Sequence, residues 1–211
     1  YYKIDTEAGS PSDINGLSTP AVVDTDGNGA ADRVYAGDLK GNIWAFDLSS
    51  SNPGQWEAAY TSGNTPVELF QALDGNGNPQ PITVAPDVAK NPKVVDSTSN
   101  PDNTPNMLIT FGTGQYLTDS DLTSTQQQSF YGIWDHGTES LVRSDLLEQQ
   151  ADLSGEPNLR FPSNNSIDYS GNNPTHHGWY MDLPASGERV VTRAAIRDDF
   201  VFFNTTIPDN D

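Results

Sequence analysis

The amino-acid sequence predicts an all-β protein of the β-propeller class. Its 211 residues include 18 Gly and 15 Pro, a composition typical of many short strands joined by turns. Four antiparallel strands are indicated within about 40 residues, which is the size of one propeller blade. Only about three such units are recognisable, whereas a closed propeller needs about four to eight blades. We therefore expect a partial set of blades from a larger propeller.

The blade-like units are expected at about residues 17–60, 80–137 and 177–207 of a single domain that covers residues 1–211. The first unit has the clearest pattern, with strands predicted at residues 19–23, 33–38, 42–48 and 56–60. In the third of these strands, Ile43 and Ala45 point to one face, and Trp44 and Phe46 point to the other, because side chains alternate along a strand. Since both faces are apolar, this strand is expected to lie between two layers.

The rest of the chain is predicted with fewer strands. Strands are expected at residues 82–86, 107–114 and 130–135, with an insertion at 96–106. A short helix is predicted over residues 145–150, with Ser144 as its N-cap and Leu147 as its apolar anchor. After a loop at residues 154–176, a hairpin is predicted from residues 178–183 and 188–192, and a last strand from residues 200–206.

An acidic loop lies between the first two predicted strands. Counting from Asp24 as position 1, oxygen-bearing side chains occupy positions 1, 3, 5 and 9, and position 7 offers a backbone carbonyl. The predicted metal ligands are Asp24, Asp26, Asn28, Ala30 through its carbonyl, and Asp32. Ca²⁺ takes roughly six to eight oxygen ligands, and an EF-hand-type loop surrounds its ion with this spacing. The sequence therefore predicts a calcium site.

Two features separate this loop from an EF-hand. Position 12 is Tyr35 instead of a bidentate Glu, so we expect Asp32 to take that role, with water filling any gap. The flanking segments lack helical periodicity and are predicted as strands. The alternative is an ordinary polar turn, since Asp, Asn and Gly are common turn residues. The calcium interpretation is favoured because three carboxylates on one turn would repel one another without a cation.

Two further motifs could bind metals. Residues 74–78 begin like a second calcium loop, but position 9 is Ile82, so a hairpin turn is favoured. His176 and His177 could bind a transition metal. Adjacent side chains on extended backbone point to opposite faces, however, and no third ligand is near in sequence, which favours a surface or capping role.

The aromatic residues offer one more candidate site. Trp44, Trp134 and Trp179 could form a stacking platform for sugars. Each occupies an equivalent place in a strand unit, which favours packing between blades, since large aromatic side chains mostly fill cores.

Charge and composition exclude several classes of partner. The formal net charge is −19, and such a surface repels nucleic-acid phosphates and anionic membranes. No apolar run approaches the roughly 18 residues that a membrane span needs. The chain contains no Cys, so neither disulfides nor thiol chemistry are expected. No nucleophile elbow, phosphate-binding loop or dinucleotide-binding loop is present, and we expect no enzymatic activity.

Several segments together resemble a known family. In chain order they are TPAVVDTDGNGAADRVYAGDLKGNIWAFDL, PIT, FGTGQYLTDSD, QSFYGIWD, GWYMDL, GERVVTRA and FFNTTIP. This series resembles the C-terminal domain of the PilY/PilC type IV pilus biogenesis proteins, over about residues 16–208. The similarity joins an acidic loop to several separate aromatic-Gly-Asp signatures in the same order.

The resemblance implies a modified, quinoprotein-like β-propeller on the bacterial cell surface, on the outer membrane or associated with the pilus. Such proteins promote pilus extension against retraction, with roles in twitching motility and attachment, and a calcium ion in this loop governs the switch. Pilins, minor pilins and host or surface ligands are the implied partners. The Arg-Gly-Asp sequence of some members does not occur in this chain, and neither does the N-terminal adhesive half of the family.

Two alternative functions stay open. A quinoprotein-type dehydrogenase also combines Gly-Asp and Trp blade motifs with calcium, but its metal is held beside the quinone by ligands from several blades. Here all candidate ligands come from one loop. An integrin-α-like extracellular binding propeller is the second alternative, since its blades use similar Asp-rich loops.

Overall fold

The computed structural model describes residues 1–93, 105–152, 161–169, 174–198 and 200–208. Within these ranges the chain forms sixteen β-strands, three short 3₁₀ helices and no α-helix. The all-β prediction is confirmed. No helix in the described ranges is long and apolar enough to cross a membrane. Most of the predicted insertion at residues 96–106, and parts of the predicted loop at residues 154–176, lie outside the described residues.

Most of the strands are short. The first seven are β1 (Ala21–Val23), β2 (Arg33–Gly37), β3 (Asn42–Asp47), β4 (Glu57–Ala58), β5 (Thr61–Ser62), β6 (Thr65–Pro66) and β7 (Phe70–Gln71). The other nine are β8 (Asp87–Lys90), β9 (Met107–Gly112), β10 (Ser129–Asp135), β11 (Leu147–Gln149), β12 (Ala151–Asp152), β13 (Phe161–Pro162), β14 (Gly178–Asp182), β15 (Ala195–Arg197) and β16 (Phe200–Phe202). The 3₁₀ helices cover Pro53–Gln55, Asp119–Thr123 and Arg143–Asp145.

The first large sheet is an antiparallel meander in the order β1-β2-β3-β4, with β7 also paired to β3. Strand β3 is buried on both faces, as its sequence predicts. Ile43 and Ala45 belong to the main core, whereas Trp44 and Phe46 pack with Ala36 in a separate cluster on the other face.

The second large sheet has the order β11-β14-β10-β9-β8. Strands β8, β9 and β10 form an antiparallel meander, β14 pairs antiparallel to β10, and β11 pairs parallel to β14. Three two-stranded sheets, β5-β6, β12-β13 and β15-β16, complete the set of sheets among the described residues, and isolated bridges add further pairs. None of these sheets closes into a ring within the described residues.

The main core lies between the two large sheets. Aromatic rings from both sheets meet there: Phe70 packs against Tyr131 with ring centroids 5.1 Å apart, and Phe111 stacks on Tyr131 at 5.3 Å. A smaller cluster of Phe130, Leu183, Val190 and Ala194 lies beside the second sheet. Burial of these large apolar side chains is the main force that holds the two sheets together.

The predicted helix at residues 145–150 is wrong. The structure has a 3₁₀ helix at Arg143–Asp145, which is followed by strand β11. Ser144 lies inside the 3₁₀ helix and is not its N-cap. Leu146 is the buried side chain, at 5% exposure. Strand β11 pairs in parallel with β14. The helical propensity of Leu, Glu and Gln is a weak preference that this long-range pairing overrides.

Two strand predictions also need correction. Strand β14 does not form a hairpin with residues 188–192, because it lies between β10 and β11, and Arg189 makes only an isolated bridge to Thr206. The strand predicted at residues 82–86 is displaced: Ile82 makes an isolated bridge to Gly114, and β8 begins after Pro86. Proline has no N–H to contribute to a strand ladder, which explains why regular pairing starts beyond it.

Candidate metal centre

The acidic loop joins β1 to β2, as predicted. Its ends are held by backbone hydrogen bonds: the Asp32 N–H donates to the Val23 carbonyl at 2.9 Å, and the Leu48 N–H donates to the Asp32 carbonyl at 2.7 Å. The turn itself is tight. Gly27 and Gly29 have φ values of 80° and 89°, a left-handed conformation in which glycine is favoured because it lacks Cβ.

Three predicted ligands converge in this loop. Carboxylate oxygens of Asp24, Asp26 and Asp32 lie within 4.8 Å of one another. Asp24 and Asp26 are exposed, and Asp32 is half-buried. No other group of three His, Asp or Glu side chains comes together in this way among the residues that the structure describes.

Backbone N–H groups fix the carboxylate of Asp24. Gly29 donates to its Oδ2 at 2.7 Å, while Gly27 and Asn28 donate to its Oδ1 at 2.6 and 3.2 Å. The hydrogen bond from Gly29 is the largest cause that lowers the pKa of Asp24 below its ordinary value, and those from Gly27 and Asn28 add to it. Asp24 is therefore held as an oriented anion at the entrance of the loop.

Side-chain hydrogen bonds order the other oxygen ligands. The backbone N–H and the hydroxyl of Thr25 both donate to Oδ2 of Asp32, at 2.7 and 2.9 Å. The amide of Asn28 donates to Oδ2 of Asp26 at 2.8 Å, and its Oδ1 accepts from the Ala30 N–H at 2.7 Å. The loop thus presents preorganised, oxygen-only groups, which suit a hard cation such as Ca²⁺.

A buried ion pair lies next to this loop and was missed from the sequence. Arg33, which directly follows Asp32, donates from Nε to Oδ2 of Asp135 at 3.0 Å. Tyr35 donates to the same oxygen at 2.6 Å, and Tyr60 donates to Oδ1. Asp135 is fully buried. A sequence signal exists, since an Asp that ends an apolar strand needs a partner, but nothing local identifies that partner.

Electrostatics agree with this arrangement. Burial raises the pKa values of Tyr35 and Tyr60, and the negative charge of Asp135 raises them further. Burial by itself would lower the pKa of Arg33, but the charge of Asp135 and the interactions with Tyr35 and Tyr60 together outweigh this effect and raise it. The two phenols therefore stay protonated and act as donors to the carboxylate.

Comparison with known proteins identifies the family. The family model of the PilY1 beta-propeller domain matches residues 2–157 of the chain. The chain belongs to the PilY1 β-propeller family. The predicted resemblance and the predicted propeller fold are both confirmed, and the open sheets agree with a partial propeller.

Individual PilY1 proteins are similar over most of the chain. A type IV pilus biogenesis factor PilY1 homolog of Xylella fastidiosa is 34% identical over 97% of the chain, and PilY1 of Pseudomonas aeruginosa is 28% identical over 93%. The crystal structure of the Pseudomonas aeruginosa PilY1 C-terminal domain matches 95% of the chain with a TM-score of 0.77 and 28% identity. The chain spans 14% and 19% of the two relatives and 46% of the crystallised domain.

The second acidic segment of this PilY1-family chain forms the predicted turn. Leu73 and Pro79 make an antiparallel bridge, and the Asp74 N–H donates to the Asn78 carbonyl at 2.9 Å. Oδ1 of Asp74 accepts from the N–H groups of Asn76 and Asn78 at 2.8 and 2.9 Å. The carboxylate is used to hold the turn.

The two adjacent histidines lie beside a third. His176 and His177 are partly buried, and His136 stacks on Trp134 with ring centroids 4.1 Å apart. Burial is the main cause that lowers the pKa of His177, and His136 and His176 lower it further, against the opposing charge of Asp145. Among the described residues these side chains do not form a group with the spacing of metal ligands.

The candidate stacking platform is used for packing in this PilY1-family fold. Trp134 is fully buried and donates from Nε1 to Oδ1 of Asn106 at 2.8 Å. Trp44 is 2% exposed. Trp179 is partly buried and stacks on Phe130 at 5.9 Å. Each ring faces protein, as expected for core aromatics.

Proposed function

We propose that this chain is a calcium-binding β-propeller module of a type IV pilus biogenesis protein. In this proposal, Ca²⁺ occupancy of the acidic loop regulates pilus extension against retraction, twitching motility and surface attachment. The observation that carries the proposal is the convergence of three carboxylates on one exposed turn. Membership of the PilY1 family supplies the pilus context.

The proposed ligands are Asp24, Asp26, Asn28, the carbonyl of Ala30, and Asp32. Bound Ca²⁺ would supply the positive charge that balances the three carboxylates. Without that charge, Asp24, Asp26 and Asp32 repel one another across the turn. The internal hydrogen bonds from Thr25, Gly27 and Gly29 offset part of this repulsion.

Regulation would act through the order of the loop. Because the loop is exposed and joins two strands at their ends, its conformation sets the surface presented beside β1 and β2. Binding of Ca²⁺ would order the loop by a local electrostatic change, and changes of this kind switch contacts between proteins. The proposed partners are pilins or minor pilins, and host or surface ligands, at an extracellular, pilus-associated or outer-membrane location.

We also propose that the module is not an enzyme. The relatives that it matches are named pilus biogenesis factors. The candidate ligands come from a single loop, whereas a quinone-dependent dehydrogenase would gather its metal ligands from several blades.

Calorimetric titration of the purified protein with Ca²⁺ and with Mg²⁺ tests the calcium site. We expect one site that prefers Ca²⁺, because Mg²⁺ demands near-ideal octahedral geometry and gives up its waters reluctantly. The control is Asp119→Asn, which removes an exposed carboxylate outside the loop and is expected to bind Ca²⁺ like the wild type. Absence of a calcium signal for the wild type would refute the proposal.

The regulatory role needs a test in the complete pilus protein. Asp32→Ala in that protein is expected to change the balance between pilus extension and retraction, measured as twitching on a surface with and without added Ca²⁺. Asp119→Asn again serves as the control. Equal calcium responses of the Asp32→Ala variant and the wild type would rule out regulation through this loop.

A further inference from the structure

We infer that Arg33 is a positioning residue for the cation-binding loop. Through its buried ion pair with Asp135, it links the last proposed ligand, Asp32, to the neighbouring sheet, so that cation binding and the packing of the two sheets depend on each other. This inference rests on the proposed calcium site and names how that site is coupled to the rest of the fold.

The covalent path between the two sites is one residue long. The Asp32 carboxylate faces the loop, where Thr25 donates to it twice. Successive side chains of an extended chain point to opposite faces, and the Arg33 guanidinium reaches away to Asp135. The backbone between them is fixed, because Arg33 pairs with Val23 on one side and with Asp47 on the other.

The ion pair crosses from one sheet to the other. Arg33 begins β2 of the first sheet, and Asp135 ends β10 of the second. The side chains are 11% and 0% exposed. The guanidinium carbon of Arg33 also lies 5.9 Å from the ring centroid of Tyr35 and 5.3 Å from that of Tyr60. Arg33 is therefore held by charge, hydrogen bonding and aromatic contact together.

The loop and the ion pair are coupled because moving either Asp32 or Arg33 disturbs the other residue. A buried carboxylate that loses its cationic partner is strongly unfavourable, so Asp135 holds Arg33 in place. The ion pair of Arg33 adds to its strand pairing with Val23 and Asp47, and together they fix the start of β2, from which Asp32 projects. A cation that fixes the position of Asp32 therefore favours the intact ion pair of Arg33 and Asp135. Because coupling between sites is reciprocal, the intact ion pair favours cation binding by the same factor.

A purely structural ion pair would stabilise the fold without affecting the loop. The pair of Arg143 and Asp182 serves as the matched control. Nη2 of Arg143 and Oδ2 of Asp182 lie 2.5 Å apart, and the two side chains are 19% and 28% exposed. Neither residue is next to the loop in sequence. Arg143→Met is expected to lower the melting temperature and to leave the dissociation constant for Ca²⁺ unchanged.

The test is calorimetric titration of the purified protein with CaCl₂, in the wild type and in Asp135→Asn, Arg33→Lys and Arg143→Met. We expect Asp135→Asn to raise the dissociation constant about fivefold or more, the lower end of common coupling factors. Arg33→Lys keeps the positive charge, and its dissociation constant is expected to stay within about twofold of the wild-type value, a smaller change than the coupling factor. Tyr60→Phe, which removes one hydrogen bond to Asp135, is expected to raise the dissociation constant and replaces Asp135→Asn should that variant not fold.

Two results would overturn the inference while leaving the calcium site intact. One is a wild-type dissociation constant in the Asp135 and Tyr60 variants. The other is an equal loss of affinity in Arg143→Met, which would show that affinity follows global stability. If the wild type itself fails to bind Ca²⁺, the proposed function fails and the inference falls with it.

Discussion

The indole Nε1 of Trp44 donates a 2.8 Å hydrogen bond to Oδ2 of the buried side chain of Asp38. The same carboxylate accepts from the Lys40 N–H at 2.9 Å, from the N–H and the side-chain amide of Asn42 at 2.9 Å each, and from Asn15 at 2.8 Å. Asp38 thus organises the turn between β2 and β3. Its carboxylate also satisfies the buried indole donor of Trp44.

Asp38→Ala should lower the free energy of unfolding by about 3 kcal/mol, because it leaves buried donors on Trp44 and Asn42 without an acceptor. Urea denaturation followed by tryptophan fluorescence measures the change. Asp119→Ala, at an exposed carboxylate, should stay within about 0.5 kcal/mol of the wild type. A loss below about 1 kcal/mol in Asp38→Ala would contradict this role.

Gly41→Ala should destabilise the protein more than Gly77→Ala. Both glycines have left-handed φ values, 79° and 83°, so both substitutions cost about 1–2 kcal/mol of backbone strain. A Cβ on Gly41 would also lie 2.6 Å from the Ala72 carbonyl oxygen, whereas nothing lies within 4 Å of one on Gly77. The melting temperatures of the two variants measure this difference: Gly77→Ala reports backbone strain alone, and the additional loss in Gly41→Ala reports steric overlap. Equal melting temperatures would show that the backbone at Ala72 moves away freely.

Local patterns predicted the position of the acidic loop and the convergence of its three carboxylates, whereas the binding of Ca²⁺ there stays a prediction. Spacing within nine residues is enough to bring Asp24, Asp26 and Asp32 together, since the chain has little freedom between two paired strands. Alternation along β3 likewise predicted its two buried faces. Interactions that depend on a distant partner were beyond sequence analysis: Arg33 and Asp135 are 102 residues apart.

The wrong predictions have the same origin. Leu147–Gln149 is a strand because it pairs with β14. β14 can accept this partner because it does not pair with residues 188–192 and lies inside the second sheet. Neither pairing follows from local propensity or from spacing along the chain. Strand register depends on which apolar faces meet in the core, and that is a property of the whole fold.

Asp121→Asn should make the protein less sensitive to acid while lowering its stability at neutral pH. Burial alone would raise the pKa of Asp121, but hydrogen bonds from Leu117, Gln115 and Thr118 outweigh burial and lower it. A lowered pKa in the folded state contributes stability that is present above the unfolded value of about 3.9 and is lost as the pH falls through the folded pKa.

Urea midpoints measured between pH 7 and pH 2 test this prediction. The Asp121→Asn variant should be less stable than the wild type by about 2 kcal/mol at pH 7, and the difference should shrink as the pH falls below the unfolded value of about 3.9 and the wild-type carboxyl becomes protonated. Asp119→Asn, in the same 3₁₀ helix, should follow the wild type. A difference that is constant with pH would mean that the charge of Asp121 is not involved.

No dye reduction is expected when pyrroloquinoline quinone, Ca²⁺ and a primary alcohol are added to the protein. The candidate ligands come from one exposed turn, whereas a quinone-dependent dehydrogenase gathers its metal ligands from several blades. Absorbance of a redox dye measures the reaction, with a quinone-dependent alcohol dehydrogenase as the positive control. Reduction above the rate of free quinone would revive the dehydrogenase alternative.

Asp32→Ala should abolish the rise in melting temperature that Ca²⁺ causes. At a hundredfold excess over the dissociation constant, binding to the folded state alone stabilises by about 2.7 kcal/mol, which corresponds to roughly 5–10 °C for a domain of this size. The substitution also removes the acceptor of two hydrogen bonds from Thr25, so the calcium increment, not the absolute melting temperature, is the quantity to compare. Asp119→Asn should keep the full increment. An undiminished increment in Asp32→Ala would show that the cation binds elsewhere, because a loop stripped of its last carboxylate retains too few anionic oxygens to hold it as tightly.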